Sequence, residues 1–369
     1  MLRVHFRSAV TLLLLGVAVA RAEEAAPAAP LPKDGTYYIE AKPTYTCKLN
    51  HTEKWTVRNS GDGFFKVFAP AAPEVPGQSD LTTTLTLVEG PRLKATKIAD
   101  NTIERRPMME LAMPNTTAAQ LRAGVTFHVD YAGTLNTLQI HVGKPPKPIA
   151  PLSKDDRRMY LVATPTLDYN APAFVACYKK AGLIRNREED VTAFAARVFK
   201  AIVEHGSYET QYYSGDACRP SNTCKTLATN GPGFSLFFTA VMRSNGVPAR
   251  SLFGRWTKMP PDGLEQMSHA IAEFYVPDTG WVPVDIANAV AQKPKDPMAW
   301  FGTTDGQFMT LHIDPDIEPS TGIAKVCWNE LIPFWLGPAS FWYSKMVRLT
   351  WREQQEAYTE PSAGASESK

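Results

Sequence analysis

The apolar positions along the chain change period twice. From residue 35 to 143 they fall in short alternating runs, TYYIEA, FFKVFAP, LTTTLTLVEG, GVTFHVDYAG and TLQIHVG, separated by Gly, Pro, Asn and Asp. Alternation puts every second side chain on one face of a strand, and several such runs in series predict an antiparallel β-sandwich without a helical period. His128 and His141 fall within these runs and read as ordinary strand residues. The proline-rich KPPKPIAPLS at 144–153 is a stiff connector that marks a domain boundary.

Beyond it the period lengthens. Asn186-Arg187-Glu188-Glu189 reads as a capping box, and Val191, Phe194, Ala195, Val198, Phe199 and Ile202 follow at three- and four-residue spacing as far as Gly206. The stretch TNGPGFSLFFTAVMRSNGVPAR at 229–250 predicts a second helix, with Leu236, Phe237, Ala240 and Val241 on one face and Gly246 at its C-terminal end. Period two then returns in ARSLFGRW and in HAIAEFYVPDTGWVPVDIA, where Pro277-Asp278-Thr279-Gly280 joins two strands in a hairpin. Helices followed by antiparallel strands make an α+β domain over 154–320. The extension at 321–359 holds Trp328, Phe334, Trp335, Phe341, Trp342, Tyr343 and Trp351, and reads as a cover on the core or as the lining of a groove. Residues 360–369 read as a disordered tail.

The 369 residues, 44% of them hydrophobic, suffice for two domains with real cores. A net charge of +2 with both signs mixed along the chain leaves no basic stripe, which excludes nucleic acid as a partner. Arg3 and Arg7 precede an apolar run at 9–20 and the small-residue signal Ala20-Arg21-Ala22, so 1–22 reads as a signal peptide cut after Ala22, followed by an Ala/Pro-rich linker at 23–34. The run falls short of the ~20 residues of a membrane span. No later segment has the length or apolarity of one, so the mature chain is expected to be soluble and exported, periplasmic or extracellular. Asn50-His51-Thr52 and Asn115-Thr116-Thr117 are sequons for a host that glycosylates exported proteins. Five cysteines, Cys47, Cys177, Cys218, Cys224 and Cys327, leave an odd one in an oxidising compartment. Cys218 and Cys224, with RPSNT between them, are the easiest pair to bridge.

His269 opens the first hairpin strand and Asp285 closes the second, so pairing through the turn brings them together. A carboxylate so placed fixes the imidazole tautomer and stabilises its protonated form. Such a pair activates a third group, usually at a helix N-terminus where dipole and free amides favour an anion. The helix beginning near Gly231 is the element that would present it.

R-S-N-G-V-P-A-R followed by S-H-A-I-A-E-F-Y-V-P-D-T-G-W-V-P-V-D resembles the core of the transglutaminase-like superfamily, the papain-like fold with a Cys-His-Asp triad. The resemblance runs from about 161 to 317, and its subgroup is bacterial and exported, with a β-rich N-terminal domain. It implies that His269 and Asp285 are the family histidine and aspartate. It places the family cysteine at Gly231, where Gly-x-Cys-x-x-[Phe/Tyr] is replaced by Thr229-Asn230-Gly231-Pro232-Gly233-Phe234. Gly231 then serves as a helix cap with Pro232 as the first helical residue. Cys224 is the alternative nucleophile, but extending the helix back to it through Asn-Gly-Pro-Gly costs ~3 kcal/mol at Pro232 and roughly 1 more at each glycine. The remaining route is His269 acting on a water, with the Gly231 amide as oxyanion donor. Asn230 and Ser235 are poor substitutes for the thiol.

The expectation is therefore a catalytically impaired protein that binds a peptide, protein or cell-envelope polymer in the former active-site groove, without a cofactor. The alternative is an active thiol peptidase or amide cross-linker using Cys224 with His269 and Asp285. His312, Asp314 and Asp316 alternate as metal ligands can. They lie in a run that binds no metal in the resembled family, and a structural role is expected of them.

Overall fold

A computed structural model of the protein describes residues 36–56, 63–88, 93–98, 106–209, 215–258, 268–317, 334–336 and 345–359. The leader and linker at 1–34, Trp328, Phe341, Trp342, Tyr343, Cys327 and the tail at 360–369 lie outside them.

The N-terminal unit consists of β1 (Tyr37–Thr56), β2 (Gly63–Pro70), β3 (Gln78–Leu87), β4 (Thr96–Ile98), β5 (Met108–Thr116), the short helix α1 (Ala118–Ala123) and β6 (Val125–Val142). GVTFHVDYAG and TLQIHVG merge into β6, which pairs antiparallel with β1 from Tyr37 opposite Val142 to Trp55 opposite Val125. β3 takes the other edge of β6, while β2, β5 and β4 form a second sheet. Leu49, Leu85, Phe127 and Val129 of the first sheet share one core with Val67, Phe68, Leu111 and Met113 of the second. Each such side chain, fully buried, contributes ~1.5–3 kcal/mol. Helix α1 was not expected: it rests on a Thr117–Gln120 capping box, and six residues are too few to leave a period. His128 meets Thr52 across the strand pair and Asp130 along its own strand, and His141 meets Glu40 across the pair.

The second unit runs through α2 (Lys154–Met159), α3 (Pro172–Lys180), α4 (Val191–His205), β7 (Ser207–Tyr208), α5 (Pro220–Thr223), β8 (Ala228–Thr229) and α6 (Gly231–Ser244). It continues with β9 (Ala249–Trp256), β10 (Ser268–Val276), β11 (Gly280–Val284), α7 (Ile286–Gln292), β12 (Thr303–Thr304) and β13 (Phe308–Ile313). The cap of α4 is Asp190, whose side chain accepts from the Ala193 amide at 2.9 Å. Asn186 and Glu189 instead close a separate turn before it. A hydrogen bond from Arg197 holds the Glu189 carboxyl below its usual range and fixes that turn. Helix α6 is buried along most of its length and ends on Gly246 at φ +74°, with the Val247 amide returning to the Met242 carbonyl.

Antiparallel strands in the order β11-β10-β9-β13 form the sheet against which α6 packs. Arg250 and Glu273 face each other across β9 and β10 and form a buried ion pair at 2.6 Å, with the guanidinium 4.0 Å above the Trp281 ring. These two letters of the G-V-P-A-R and A-E-F-Y runs therefore fasten strands and stand outside any chemistry.

The chain ends return to the first unit. β14 (Phe334–Leu336) pairs with β2, and β15 (Lys345–Ala357) pairs with β1. The described part of the aromatic-rich extension is thus two strands that complete both N-terminal sheets, rather than a cover on the α+β core. β12 pairs with β6, and Gln78 mimics a strand partner for β13, donating to the Thr310 carbonyl at 3.0 Å and accepting from its amide at 2.9 Å. Arg106 adds a bond to the Pro315 carbonyl at 2.7 Å. Together these fix β13, and with it Phe308, beside the site. Among the described residues no helix is long and apolar enough to cross a membrane.

Candidate active site

The start of α6, β10 and the start of α7 converge on one point. Asn230 caps α6, its side-chain oxygen accepting from the Gly233 amide at 3.2 Å, and Gly231 and Pro232 are the first two helical residues. The cap thus lies one residue before Gly231, because an asparagine supplies the acceptor that glycine lacks. Gly233 is sterically required: a Cβ there would lie 1.9 Å from Thr229 Oγ1. Gly231 is not. A Cβ at 231 would meet His269 Nδ1 and the Ala270 amide nitrogen at 3.5 Å and Ala287 Cβ at 3.7 Å, all ordinary contacts. A side chain at 231 would therefore point at the imidazole.

His269 lies on β10, only 4% exposed. Its ring stacks on Trp256 at 4.6 Å and takes the edge of Phe308 at 5.6 Å. Nε2 is 2.8 Å from Asp285 Oδ2. The β10–β11 ladder stops at Ala272 opposite Val284, so strand pairing does not aim Asp285. Its duty as the cap of α7 does: Oδ1 accepts from the Asn288 amide at 3.0 Å and Oδ2 from Asn288 Nδ2 at 2.8 Å. With a carboxylate on that side, Nε2 must carry the hydrogen, which leaves the Nδ1 lone pair of the neutral ring facing Gly231.

Two further groups sense this centre. Asp305, in the run between β12 and β13, has its carboxyl pushed up by burial; the Gln307 amide and His269 pull it down, and the Asp285 charge adds to the rise. Tyr208 sits opposite Thr229 on paired strands, its hydroxyl pushed up by burial and by the Asp285 charge. Sequence reading missed both, and missed Trp256 and Phe308 as walls of the imidazole. The position of Asp305 three residues before Phe308 was the available signal.

The cysteines differ from expectation. Cys224 is bonded to Cys177, with Cα atoms 6.3 Å apart, and the expected Cys218–Cys224 bridge does not form. Helices α3 and α5 pack together and bring Cys177 to Cys224, while the turn at 215–218 directs Cys218 to the base of α6, its Sγ 3.4 Å from Asn230 Oδ1. Cys224 therefore offers no thiolate. Cys47 is buried beside Met309, and burial pushes its thiol up to about 12. The Ser235 hydroxyl donates to the Ile271 carbonyl at 2.8 Å and is engaged there.

His312 stacks on Phe253 at 4.8 Å. Asp314 pairs with Arg243 and accepts from the Ser251 amide at 2.9 Å, and Asp316 accepts from the Thr166 amide and hydroxyl at 2.8 and 2.9 Å. These groups tie β13 to α6, β9 and the segment before α3.

The family described as the Transglutaminase-like superfamily matches residues 179–286. No curated protein matches the chain by sequence. Among solved structures, one described as a "Putative Cysteine Protease" from Cytophaga hutchinsonii aligns with a TM-score of 0.54 at 14% identity, over 88% of this chain and 94% of that one. The periplasmic domain of TgpA from Pseudomonas aeruginosa, bound to ethylmercury, aligns with a TM-score of 0.33 at 13% identity, over 69% of this chain and 92% of that one.

Proposed function

We propose that this chain, whose residues 179–286 form a transglutaminase-like domain, is an exported protein that keeps the His-Asp dyad without covalent catalysis. It holds a peptide or cell-envelope polymer in the groove beside His269 and Asp285 and does not turn it over.

One observation carries this reading: the position facing His269 Nδ1 is Gly231, which has no attacking atom. The disulfide at Cys224 removes the nearest alternative nucleophile in sequence. The same disulfide supports an oxidising compartment, in keeping with the leader-like segment at 1–22. The Cytophaga hutchinsonii relative is described as a protease; proteolysis here would have to run through water activated by His269, a route that typically retains only ~10³–10⁴-fold over the uncatalysed reaction.

The test is alkylation of the folded protein with iodoacetamide, with the modified cysteines located by mass spectrometry. The expected result is that no cysteine reacts rapidly below neutral pH. Fast alkylation at Cys224 or Cys218 that disappears in His269→Ala would overturn the reading and establish a thiol enzyme.

A further inference from the structure

We infer that a carboxylate group of the bound peptide occupies the place left by the missing side chain at Gly231. The inference rests on the binding reading above and names the chemistry recognised there.

Helix α6 spans 14 residues and directs its positive end at this place. First-turn amides have no acceptor within their own helix. Pro232 has no N–H, and the Gly233 N–H is taken by Asn230, so the Gly231 amide is the backbone donor left for an occupant. Opposite it stands His269 Nδ1, 3.5 Å from where a Cβ at 231 would be, on a ring 4% exposed. Nε2 is committed to Asp285, and the stacking of Trp256 and Phe308 fixes the ring plane. A ring nitrogen so held is aimed at the space beside Gly231.

The occupant must bridge an N–H donor and Nδ1. A carboxylate does so with its two oxygens: one accepts from the Gly231 amide, the other from Nδ1–H of the imidazolium. It brings the counter-charge that the imidazolium and the helix end both favour, as a thiolate would from a cysteine at 231. The titratable groups around this centre are Asp285 at the start of α7, Asp305 before β13, which interacts with His269, and Tyr208 on β7, which interacts with Asp285. Asp285 is engaged by Nε2–H and Asn288. Burial and the Asp285 charge push the Asp305 carboxyl and the Tyr208 hydroxyl toward their neutral forms. Asp285 holds the Nε2 side of the ring, and the Nδ1 side faces the space at Gly231.

The experiment titrates the full chain with acetate, N-acetyl-Ala-Ala, its C-terminal amide, and N-acetyl-Asp-amide near neutral pH, reading the His269 ring nitrogens by long-range ¹H–¹⁵N NMR. Acetate is expected to move Nδ1 saturably from the lone-pair to the protonated region, and N-acetyl-Ala-Ala to do so at lower concentration, while the dipeptide amide leaves it unmoved. Gly231→Ala, whose methyl fills the place, is expected to weaken the response about tenfold or more, with its amide spectrum confirming the fold. A response to N-acetyl-Asp-amide equal to that of N-acetyl-Ala-Ala assigns the carboxylate to a side chain; a response to N-acetyl-Ala-Ala alone assigns it to a chain terminus. If neither acetate nor N-acetyl-Ala-Ala moves Nδ1, or if the dipeptide amide moves it equally, the inference is wrong. That failure leaves the binding reading intact, since the latter stands or falls on the reactive cysteine.

Discussion

Placing a thiol at 231 is the sharpest test of the geometry around Gly231. In Gly231→Cys the new Cβ fits without a close contact, 3.5 Å from His269 Nδ1, so the sulfur one bond further can reach the imidazole. An unpaired thiol titrates near ~8.5, and one paired with an imidazolium at a helix N-terminus between ~3.5 and 7.5. Taking ~6 for the variant, the thiolate fraction near pH 7 rises from about 3% to about 90%, roughly thirtyfold. Intrinsic nucleophilicity falls with pKa at a Brønsted slope of ~0.4–0.5, which takes back about thirteenfold and leaves a net gain of only about twofold. Near pH 5 the fractions are ~0.03% and ~9%, and the net gain is about twentyfold. The discriminating assay is therefore a pH series of reaction rates with a small disulfide probe, comparing Gly231→Cys with the double variant Gly231→Cys/His269→Ala. The wild-type chain sets the background, with Cys177 and Cys224 bonded, Cys47 and Cys218 buried, and Cys327, outside the described residues, counted in it. An advantage that grows toward acid pH confirms that 231 faces a working dyad. Identical profiles titrating near ~8.5 for the single and double variants would refute the geometry argued here.

Gly231→Ala should stabilise the fold by ~0.4–1 kcal/mol in urea, since the helical backbone at 231 tolerates a Cβ and glycine only adds freedom to the unfolded chain; a loss of stability would mean the space is not open. Cys177 and Cys224 close a loop of 47 residues, for which chain entropy alone gives ~4 kcal/mol, so Cys177→Ser/Cys224→Ser should lower the urea midpoint by about 2–4 kcal/mol equivalent. Asp305→Asn should stabilise at neutral pH. A carboxyl whose folded pKa is raised binds more protons folded than unfolded, so its penalty is absent below the unfolded pKa, appears as pH rises toward the folded pKa, and persists above. The gain from Asn should accordingly vanish at acid pH, and a gain independent of pH would point to packing instead. Asp285→Ala should cost about 3 kcal/mol or more, combining a lost helix cap of ~1 with the stranded donors of His269 and Asn288; a loss below ~1 kcal/mol would show that the carboxylate holds little together.

The sequence carried the parts of the site that depend on neighbours along the chain. Period two on both sides of Pro277-Asp278-Thr279-Gly280 made the hairpin and the place of His269 on it legible, whereas the aim of Asp285 comes from its capping of α7. The parts it did not carry depend on distant segments. Nothing in the residues near Cys224 selects Cys177, because that choice is made by the packing of α3 on α5. The pairing of β15 with β1 joins the two ends of the chain, and alternation within either strand has no address for the other. Asp305 interacts with the imidazole from the segment before β13, whose pairing with β9 also delivers Phe308 to the ring. The one-residue displacement of the α6 cap had a local cause that was readable: Asn230 outranks Gly231 as a cap once its side chain can reach the Gly233 amide.

Persistence of the dyad beside a glycine does not by itself argue for turnover. Asp285 spends one oxygen on the first turn of α7 and shares the other between Asn288 and His269. His269 in turn fills the space between Trp256 of β9 and Phe308 of β13. Replacing either residue strands buried donors and opens the junction of three elements, whatever the fate of the nucleophile. Position 231 differs in kind, because a side chain there would make only ordinary contacts, with the imidazole, the Ala270 amide nitrogen and Ala287 Cβ. A change at 231 is thus expected to cost the fold less than a change at 269 or 285. On the proposed binding reading, packing alone holds the dyad in place, and what Nδ1 and the end of α6 can bind is the property to measure.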